Sequence, residues 1–137
     1  MKGLPEEFSE VLFSASKPTG GWPTKFAVIT AHNPDGVLTD RAENDRADEL
    51  LREELVRSNL IYFRVIGGSR DGEHQEAGWG IEVNEISAAN RLSKQFGQLA
   101  FFWITEGHLF LVNTEDGKRQ FQALWVERLL NSTDSDQ

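Results

Sequence analysis

The stretch Phe26-Ala27-Val28-Ile29-Thr30-Ala31-His32-Asn33-Pro34-Asp35-Gly36 decides how the rest of this chain can be arranged. It begins as a run of apolar and β-branched residues and ends abruptly in residues that form turns. Its proline fixes φ, and the Asp-Gly pair that follows favours a turn with a positive-φ position. We therefore predict a central strand over residues 26–31 that ends at the rim of a sheet and delivers His32 and Asn33 there.

The length and composition are those of an ordinary globular chain. Its 137 residues are enough to bury a core, and 26% of them are charged while 39% are hydrophobic. We expect a single domain over residues 1–130, followed by a disordered acidic tail over residues 131–137. The sequence contains no cysteine, which excludes disulfides, thiolate metal sites and cysteine nucleophiles.

The charge balance limits the classes of partner. Lys and Arg number 14 and Asp and Glu number 22, so the formal net charge is −8. A field of that sign repels phosphate backbones, and no nucleic-acid partner is expected. No stretch approaches the roughly 18 consecutive apolar residues of a membrane span, and the first residues contain no apolar signal segment. We expect a soluble, cytoplasmic protein without membrane contact, either a monomer or a homodimer.

A helical period follows the first turn. Asp40 and, three residues later, Glu43 resemble a capping box, and aliphatic residues then recur at helical spacing. We predict a helix over residues 40–57. Asn44 falls on the buried stripe of that helix, so its amide needs hydrogen-bond partners, and the nearest are the backbone and Asn33 of the preceding turn.

The rest of the chain alternates strands with one more helix. Ser87 is predicted to cap this second helix and Gly97 to end it in a left-handed conformation. A loose polar loop is predicted over Gly67–Gly78, and residues 119–130 suit either a strand or a helix, with a strand over 120–126 favoured. The other strands are predicted over residues 8–15, 60–66, 79–83, 99–104 and 108–112.

The order of these elements between residues 26 and 104 is β-α-β-β-α-β, the order of a ferredoxin-like fold. We predict an α+β fold with this core and extra flanking strands, and with two helices packed on one side of a mixed, mostly antiparallel sheet. The first two core strands then run parallel, and three connections share one end of the sheet: residues 32–39, residues 67–78 and the junction Gly97-Gln98. Open sheets bind ligands beyond the carboxyl ends of parallel strands, so a site is expected there.

The candidate side chains at this end are mostly uncharged. Asn33, Asn44 and Gln98 offer amide groups, and Trp79 stands at a loop–strand boundary where it could line a pocket. The candidates for a catalytic base are His32 and Glu82, although a histidine in a polar turn is more often simply solvated. A metal site is not expected, because the possible ligands lie in a loop without rigid spacing; these are Glu73, His74 and Glu76.

Four pieces of the sequence carry a resemblance to a known family. They are Ile29-Thr30-Ala31-His32-Asn33-Pro34, Asn44 ahead of a leucine stripe, Gly78-Trp79 before a strand with Glu82, and Phe96-Gly97-Gln98 followed by Ala100-Phe101. Together they span about residues 26–102 and resemble a bacterial group of small uncharacterised proteins, domain-of-unknown-function family 3293. The resemblance implies that Asn33, Asn44, Trp79 and Gln98 belong to one constellation, and it implies no reaction and no cofactor.

Three hypotheses of function follow from this reasoning. The first is a small cytosolic binding or regulatory module whose polar edge takes a small polar ligand or a peptide segment. The second is an enzyme that acts on a nucleotide-like or other polar small molecule, with His32 or Glu82 as base. In the third, the role is purely structural, and Asn33 and Asn44 brace the turn.

Overall fold

The computed structural model describes residues 11–130. Within them the chain forms seven strands and two α-helices, so the α+β class is confirmed. The elements in chain order are β1 (Leu12–Ser14), β2 (Lys25–Thr30), α1 (Arg41–Arg57), β3 (Tyr62–Gly68), β4 (Gln75–Glu82), α2 (Ile86–Gln95), β5 (Ala100–Thr105), β6 (His108–Asn113) and β7 (Arg119–Leu124). The tail predicted over residues 131–137 and the start of the strand predicted over residues 8–15 lie outside the described residues, and the single domain stays a prediction.

The strands form one curled sheet in the order β1-β3-β4-β2-β5-β6-β7. All six ladders between neighbouring strands are antiparallel. The prediction of a mixed sheet was therefore wrong. The reason is that β2 and β3, which run parallel to each other, are separated by β4, which runs against both. The sheet is also larger than a four-stranded core, because β1, β6 and β7 extend it on both sides.

Both helices pack against the same face of the sheet. Helix α1 begins at its N-cap Asp40, whose carboxylate accepts a hydrogen bond of 2.8 Å from the Glu43 amide. Leu51 and Leu55 of α1 are fully buried in the core cluster that also contains Leu92 of α2. Full burial of an aliphatic side chain stabilises the folded state by about 1.5–3 kcal/mol. This cluster fixes the helices over β2, β4 and β5.

Helix α2 differs from the prediction at its N-terminus and agrees with it at its C-terminus. The helix begins at Ile86 with Glu85 as the N-cap, and no side chain caps it, so the prediction that Ser87 is the cap was wrong. Ser87 instead lies in the first turn. At the other terminus Gly97 has a φ of 69°, the left-handed stop that the sequence predicted.

The opposite face of the sheet encloses a second core rich in aromatic rings. Trp125, which is 1% exposed, packs against Phe13 of β1 with ring centroids 5.0 Å apart. It begins a short 3-10 turn, Trp125–Arg128, that follows β7. Residues 119–130 are therefore strand first and 3-10 turn afterwards, and no α-helix.

The chain after this turn returns to β1 and joins the two margins of the curled sheet. The amide of Leu130 donates to the carbonyl of Phe13 at 2.8 Å, and Leu129 forms a parallel bridge with Phe13. The guanidinium of Arg128 donates to the carbonyl of Val11 at 3.3 Å. We refer to these contacts between residues 11–13 and 125–130 as the seam.

One loop is shorter than predicted, and one residue predicted in a strand lies outside it. The segment Gly67–Gly78 was predicted as a loop, but its two ends pair as an antiparallel hairpin that leaves residues 69–74 as the turn. Leu99 was predicted to be part of a buried strand, but it precedes β5 and is 46% exposed. Among the described helices, none is long and apolar enough to cross a membrane.

Candidate functional site

Strand β2 ends at Thr30, and the chain turns sharply at Asn33, whose φ of 49° is left-handed. Asparagine tolerates this conformation better than most residues, because its short amide can bond to nearby backbone. The short 3-10 turn Pro34–Gly36 follows. We call this end of the sheet, where β2 ends and β5 begins, the site end.

Asn33 and Asn44 bond to each other across the gap between the turn and α1. The Asn44 Oδ1 accepts from the Asn33 backbone amide at 2.9 Å, and the Asn44 Nδ2 donates to the Asn33 Oδ1 at 3.2 Å and to the Thr39 carbonyl at 3.3 Å. The Asn33 Oδ1 also accepts from the Thr39 amide at 2.9 Å. The two side chains therefore lock residues 33–39 onto the first turns of α1.

Gln98 reaches the same turn from the end of α2. Its Nε2 donates to the His32 carbonyl at 3.0 Å and to the Phe96 carbonyl at 3.1 Å. The two chain segments are also joined by a backbone hydrogen bond of 2.6 Å from the Asp35 amide to the Gly97 carbonyl. Asn33, Asn44 and Gln98 thus lie at the same end of the sheet, where the topology predicted them.

Glu76 of β4 completes this group, which we call the amide cluster: Asn33, Asn44, Glu76 and Gln98. The Asn33 Nδ2 donates to the Glu76 Oε2 at 3.3 Å. Burial raises the pKa of the Glu76 carboxyl above its usual value, while the charge of His32 and the hydrogen bond from Asn33 act in the opposite direction. Sequence reasoning placed Glu76 in a mobile loop and did not include it in the site. The alternation of residues 75–82 in the strand could have indicated it.

His32 stands beside the amide cluster with its imidazole unbonded. Its backbone is held at both ends, because the amide donates to the Thr30 Oγ1 at 3.1 Å and the carbonyl accepts from Gln98. Among the described residues, no hydrogen-bond partner of the ring is found. The imidazole is close enough to Glu76 for its charge to act on that carboxyl.

Trp79 lies below the site end rather than in it. It is 8% exposed in the helix-side core, and the guanidinium of Arg64 lies 3.6 Å from its ring centroid. Arg64 in turn bonds to both carboxylate oxygens of Asp48 on α1, at 3.1 and 2.8 Å. Trp79 therefore supports α1 from beneath, and no contact with the amide cluster is found for it among the described residues.

Glu82 lies at the other end of the sheet. It pairs with Phe26 at the start of β2, whereas Gly78 pairs with Thr30 at the end of that strand. Four residues of extended chain span about 13 Å. Glu82 and His32 are therefore too far apart to act on one small ligand, and only His32 adjoins the amide cluster.

The hydrogen bonds divide the site end into satisfied and free groups. The amide NH₂ groups of Asn44 and Gln98 each donate two hydrogen bonds, which is their full capacity. Among the described residues, four groups of the site end have no hydrogen-bond partner: the His32 imidazole, the second oxygen of Glu76, the second N–H of the Asn33 Nδ2 and the Gln98 Oε1. Within residues 11–130 no three side chains of metal-ligating type are gathered together.

An open groove of about 300 Å³ lies elsewhere, where β1 diverges from β3. Its lining residues are Ser14, Ala15, Ser16, Phe63, Arg64 and Ile66. The groove is thus separate from the amide cluster, which forms a surface on the rim of the sheet.

The fold and the amide cluster define an α+β protein with a hydrogen-bonded polar cluster at one end of an antiparallel sheet. The chain belongs to the family described as "Protein of unknown function (DUF3293)", whose model matches residues 29–101. That span contains His32 and the whole amide cluster, but not β6 and β7. Comparison with curated proteins and with solved structures gave no match.

Proposed function

We propose that this chain is a small cytoplasmic binding or regulatory module whose site end takes a small polar ligand or a peptide segment. The observation that carries the proposal is that some polar groups at the site end are bonded within the protein while others have no partner among the described residues. Asn33, Asn44 and Gln98 hold the turn through internal hydrogen bonds, while His32, Glu76, the second N–H of the Asn33 amide and the Gln98 Oε1 keep unused hydrogen-bonding capacity. Preorganised polar groups of this kind bind at a low entropic cost.

The partly buried carboxyl of Glu76 supports binding rather than a bracing role alone. Burying a carboxyl disfavours its charged form, and one hydrogen bond from Asn33 compensates only part of that cost. A ligand that donates a hydrogen bond to the free oxygen would compensate more of it. The ligand would in this way stabilise the native state by mass action.

A thermal-shift screen of polar metabolites and short peptides tests the proposal. We expect at least one compound to raise the Tm of the wild type and to have no effect on a folded His32→Ala variant. The matched control is His108→Ala, because His108 is an exposed histidine at the start of β6, at the other end of the sheet. A compound that stabilises His32→Ala as strongly as the wild type would place its site elsewhere. If no compound acts on the wild type while Asn44→Ala unfolds the protein, Asn33 and Asn44 have a purely structural role.

The second candidate function is an enzyme that acts on a nucleotide-like or other polar small molecule, with His32 as the base. The observation that favours it is the proximity of an unbonded imidazole to a carboxyl whose pKa is raised, an arrangement found at catalytic sites. Glu82, the other candidate base, lies at the opposite end of the sheet. Turnover of a screened compound that is lost in His32→Ala and retained in His108→Ala would select this function over simple binding.

We propose a ferredoxin-like core of β2, β3, β4, β5 and the two helices. The support is the β-α-β-β-α-β order of these elements together with their spatial order, β3-β4-β2-β5. The net charge of −8 supports a partner other than nucleic acid, and either a monomer or a homodimer is compatible with the proposal.

A further inference from the structure

Three large aliphatic side chains are exposed together at the site end. Leu38 is 89% exposed, Val37 64% and Leu99 46%. Leu99 directly precedes β5 and lies against the turn after β2, as shown by the 3.0 Å distance between its Cδ1 and a Cβ added at Gly36. We call these three residues the aliphatic rim. Single exposed aliphatic residues are normal, whereas several from separate segments of one surface indicate an interaction site.

The backbone that presents the aliphatic rim is held in place. The Val37 amide donates to the Pro34 carbonyl at 3.2 Å, and the Thr39 amide donates to the Asn33 Oδ1 at 2.9 Å. The Thr39 hydroxyl also donates to the Val37 carbonyl at 3.0 Å. Leu38 is therefore displayed from a braced turn. Such a side chain loses little conformational freedom when a partner covers it.

The segments around the aliphatic rim are strongly acidic. Three of them at the site end carry charge: residues 31–44 contain three carboxylates, residues 69–76 contain three and residues 114–118 contain two, while each contains a single Lys or Arg. Among the described residues, the connecting segments at the opposite end contain three carboxylates and two cations. The negative charge is thus concentrated where the aliphatic side chains are exposed.

The exposed aliphatic side chains and the negative charge around them together indicate which class of partner could bind at the aliphatic rim. A second copy of the chain in symmetric contact would bring the two acidic ends together, and like charges across an interface are unfavourable. Phosphate backbones and anionic lipid surfaces are repelled for the same reason. A cationic partner with aliphatic side chains matches both features, because interfaces commonly place an apolar centre inside a charged rim.

We propose that the aliphatic rim docks a protein segment in which Lys or Arg residues flank one or two aliphatic side chains. The inference rests on the proposed function, since it names the class of partner for the same end of the sheet. The aliphatic side chains of the segment cover Leu38 and Leu99, and its cations face the surrounding carboxylates. Attraction between these charges steers the encounter, so binding weakens as salt is added.

A displayed library of random 12-residue peptides, selected against the complete chain, tests the inference without assuming a sequence. We expect enrichment of peptides that combine Lys or Arg with Leu, Ile or Val. Fluorescence anisotropy with the most enriched peptide should show about tenfold weaker binding to Leu38→Ser, the effect of losing one well-covered aliphatic anchor. Binding should also weaken several-fold when NaCl is raised from about 50 to about 500 mM.

The matched control is Val126→Ser, because Val126 is a 57% exposed aliphatic residue at the opposite end of the sheet. It should leave the affinity unchanged. Enrichment of acidic peptides, equal binding to Leu38→Ser, or the absence of any binder would each overturn the inference. The proposed function is judged separately by the dependence of screened compounds on His32. A compound that acts through His32 while no basic peptide binds would therefore reject the docking surface and retain the binding module.

Discussion

At the scale of single residues, Asn44 is the side chain on which the turn depends. Its amide makes three hydrogen bonds to Asn33 and Thr39. In Asn44→Ala the Asn33 amide loses its partner, and we expect the free energy of unfolding to fall by about 1–3 kcal/mol. Asn44→Asp should cost at least as much, because an oxygen would then face the oxygens that now accept from the Nδ2.

Chemical denaturation of the two variants measures this effect. The matched control is Asp45→Ala on the same helix, whose side chain is exposed and, within residues 11–130, takes part only in a surface ion pair with Arg41. Its cost should stay within about 0.5 kcal/mol. A stability of Asn44→Ala equal to that of the control would show that the turn holds without the amide.

Glu76 gives a pH-dependent prediction at the same scale. Its pKa is raised in the folded state, so the folded protein binds the proton more readily than the unfolded chain does. The contribution of Glu76 to the stability should therefore fall as the pH rises from the ordinary pKa of 4.5 through the raised value. Glu76→Gln keeps an oxygen for the Asn33 Nδ2 and removes the charge. It should be more stable than the wild type at pH 7 and should lose that advantage near pH 4.

Thermal unfolding followed between pH 4 and pH 7 tests this expectation. Glu73→Gln is the control, because Glu73 is an exposed carboxylate in the neighbouring turn and should follow the wild type. A loss of stability in Glu76→Gln at pH 7 would mean that the charged carboxyl is favourable in the fold. That result would remove the argument that a ligand compensates its burial.

At the scale of elements, the approach of β4 to β2 depends on Gly78. A Cβ added there would stand 2.7 Å from the Ile29 carbonyl oxygen, which is backbone of the central strand. Gly78→Ala should cost about 1–3 kcal/mol, because two paired strands must move apart. Gly67→Ala is the matched control, since its added Cβ would meet side-chain carbons rather than backbone, Val11 Cγ1 at 3.3 Å and the Phe13 ring at 3.6 Å. Denaturant unfolding compares the two, and equal costs would contradict the close-approach argument.

Local patterns predicted those elements whose signals are contained within one segment. Helix α1 was predicted over residues 40–57 and is observed over Arg41–Arg57, because its cap and its leucine spacing are both local. The β3–β4 hairpin was predicted with strands over residues 60–66 and 79–83, and the observed strands extend further into the predicted loop, to Gly68 and from Gln75. The glycines and polar residues of these inner ends have loop composition and form strands only when paired with each other. Leu99 was misplaced since an apolar run does not reveal that one of its members is exposed.

The candidate site was predictable to a similar extent. Asn33, Asn44 and Gln98 were placed together by the order of elements, which is a property of the sequence. Glu76 was missed because its partner, Asn33, lies 43 positions away and the bond exists only once β4 pairs with β2. Trp79 was assigned to the site by its position at a strand boundary. Trp79 instead lies in the core beneath the guanidinium of Arg64, and this contact is visible only in three dimensions.

At the scale of the whole molecule, Trp125 holds the curled sheet together. It is 1% exposed and contacts the rings of Phe13, Trp22 and Phe26 at centroid distances of 5.0, 5.3 and 5.3 Å. Trp125→Ala should lower the free energy of unfolding by about 3–5 kcal/mol, because the cavity lies between both margins of the sheet. Val126→Ala should change it by no more than about 0.5 kcal/mol. Guanidinium unfolding followed by circular dichroism measures both, and a mild effect of Trp125→Ala would mean that the margins hold without the ring.

The seam has a kinetic consequence. It joins Arg128 to Val11 across 117 positions of sequence, the costliest kind of loop to close by random motion of a chain. We expect it to assemble last during folding, and we expect its outer contacts at residues 129–130 to open first under native conditions. Amide hydrogens of residues 129–130 would then exchange faster than those of β2. Transient opening would wet the aromatic interior while the hydrogen bonds around Asn33 stay closed.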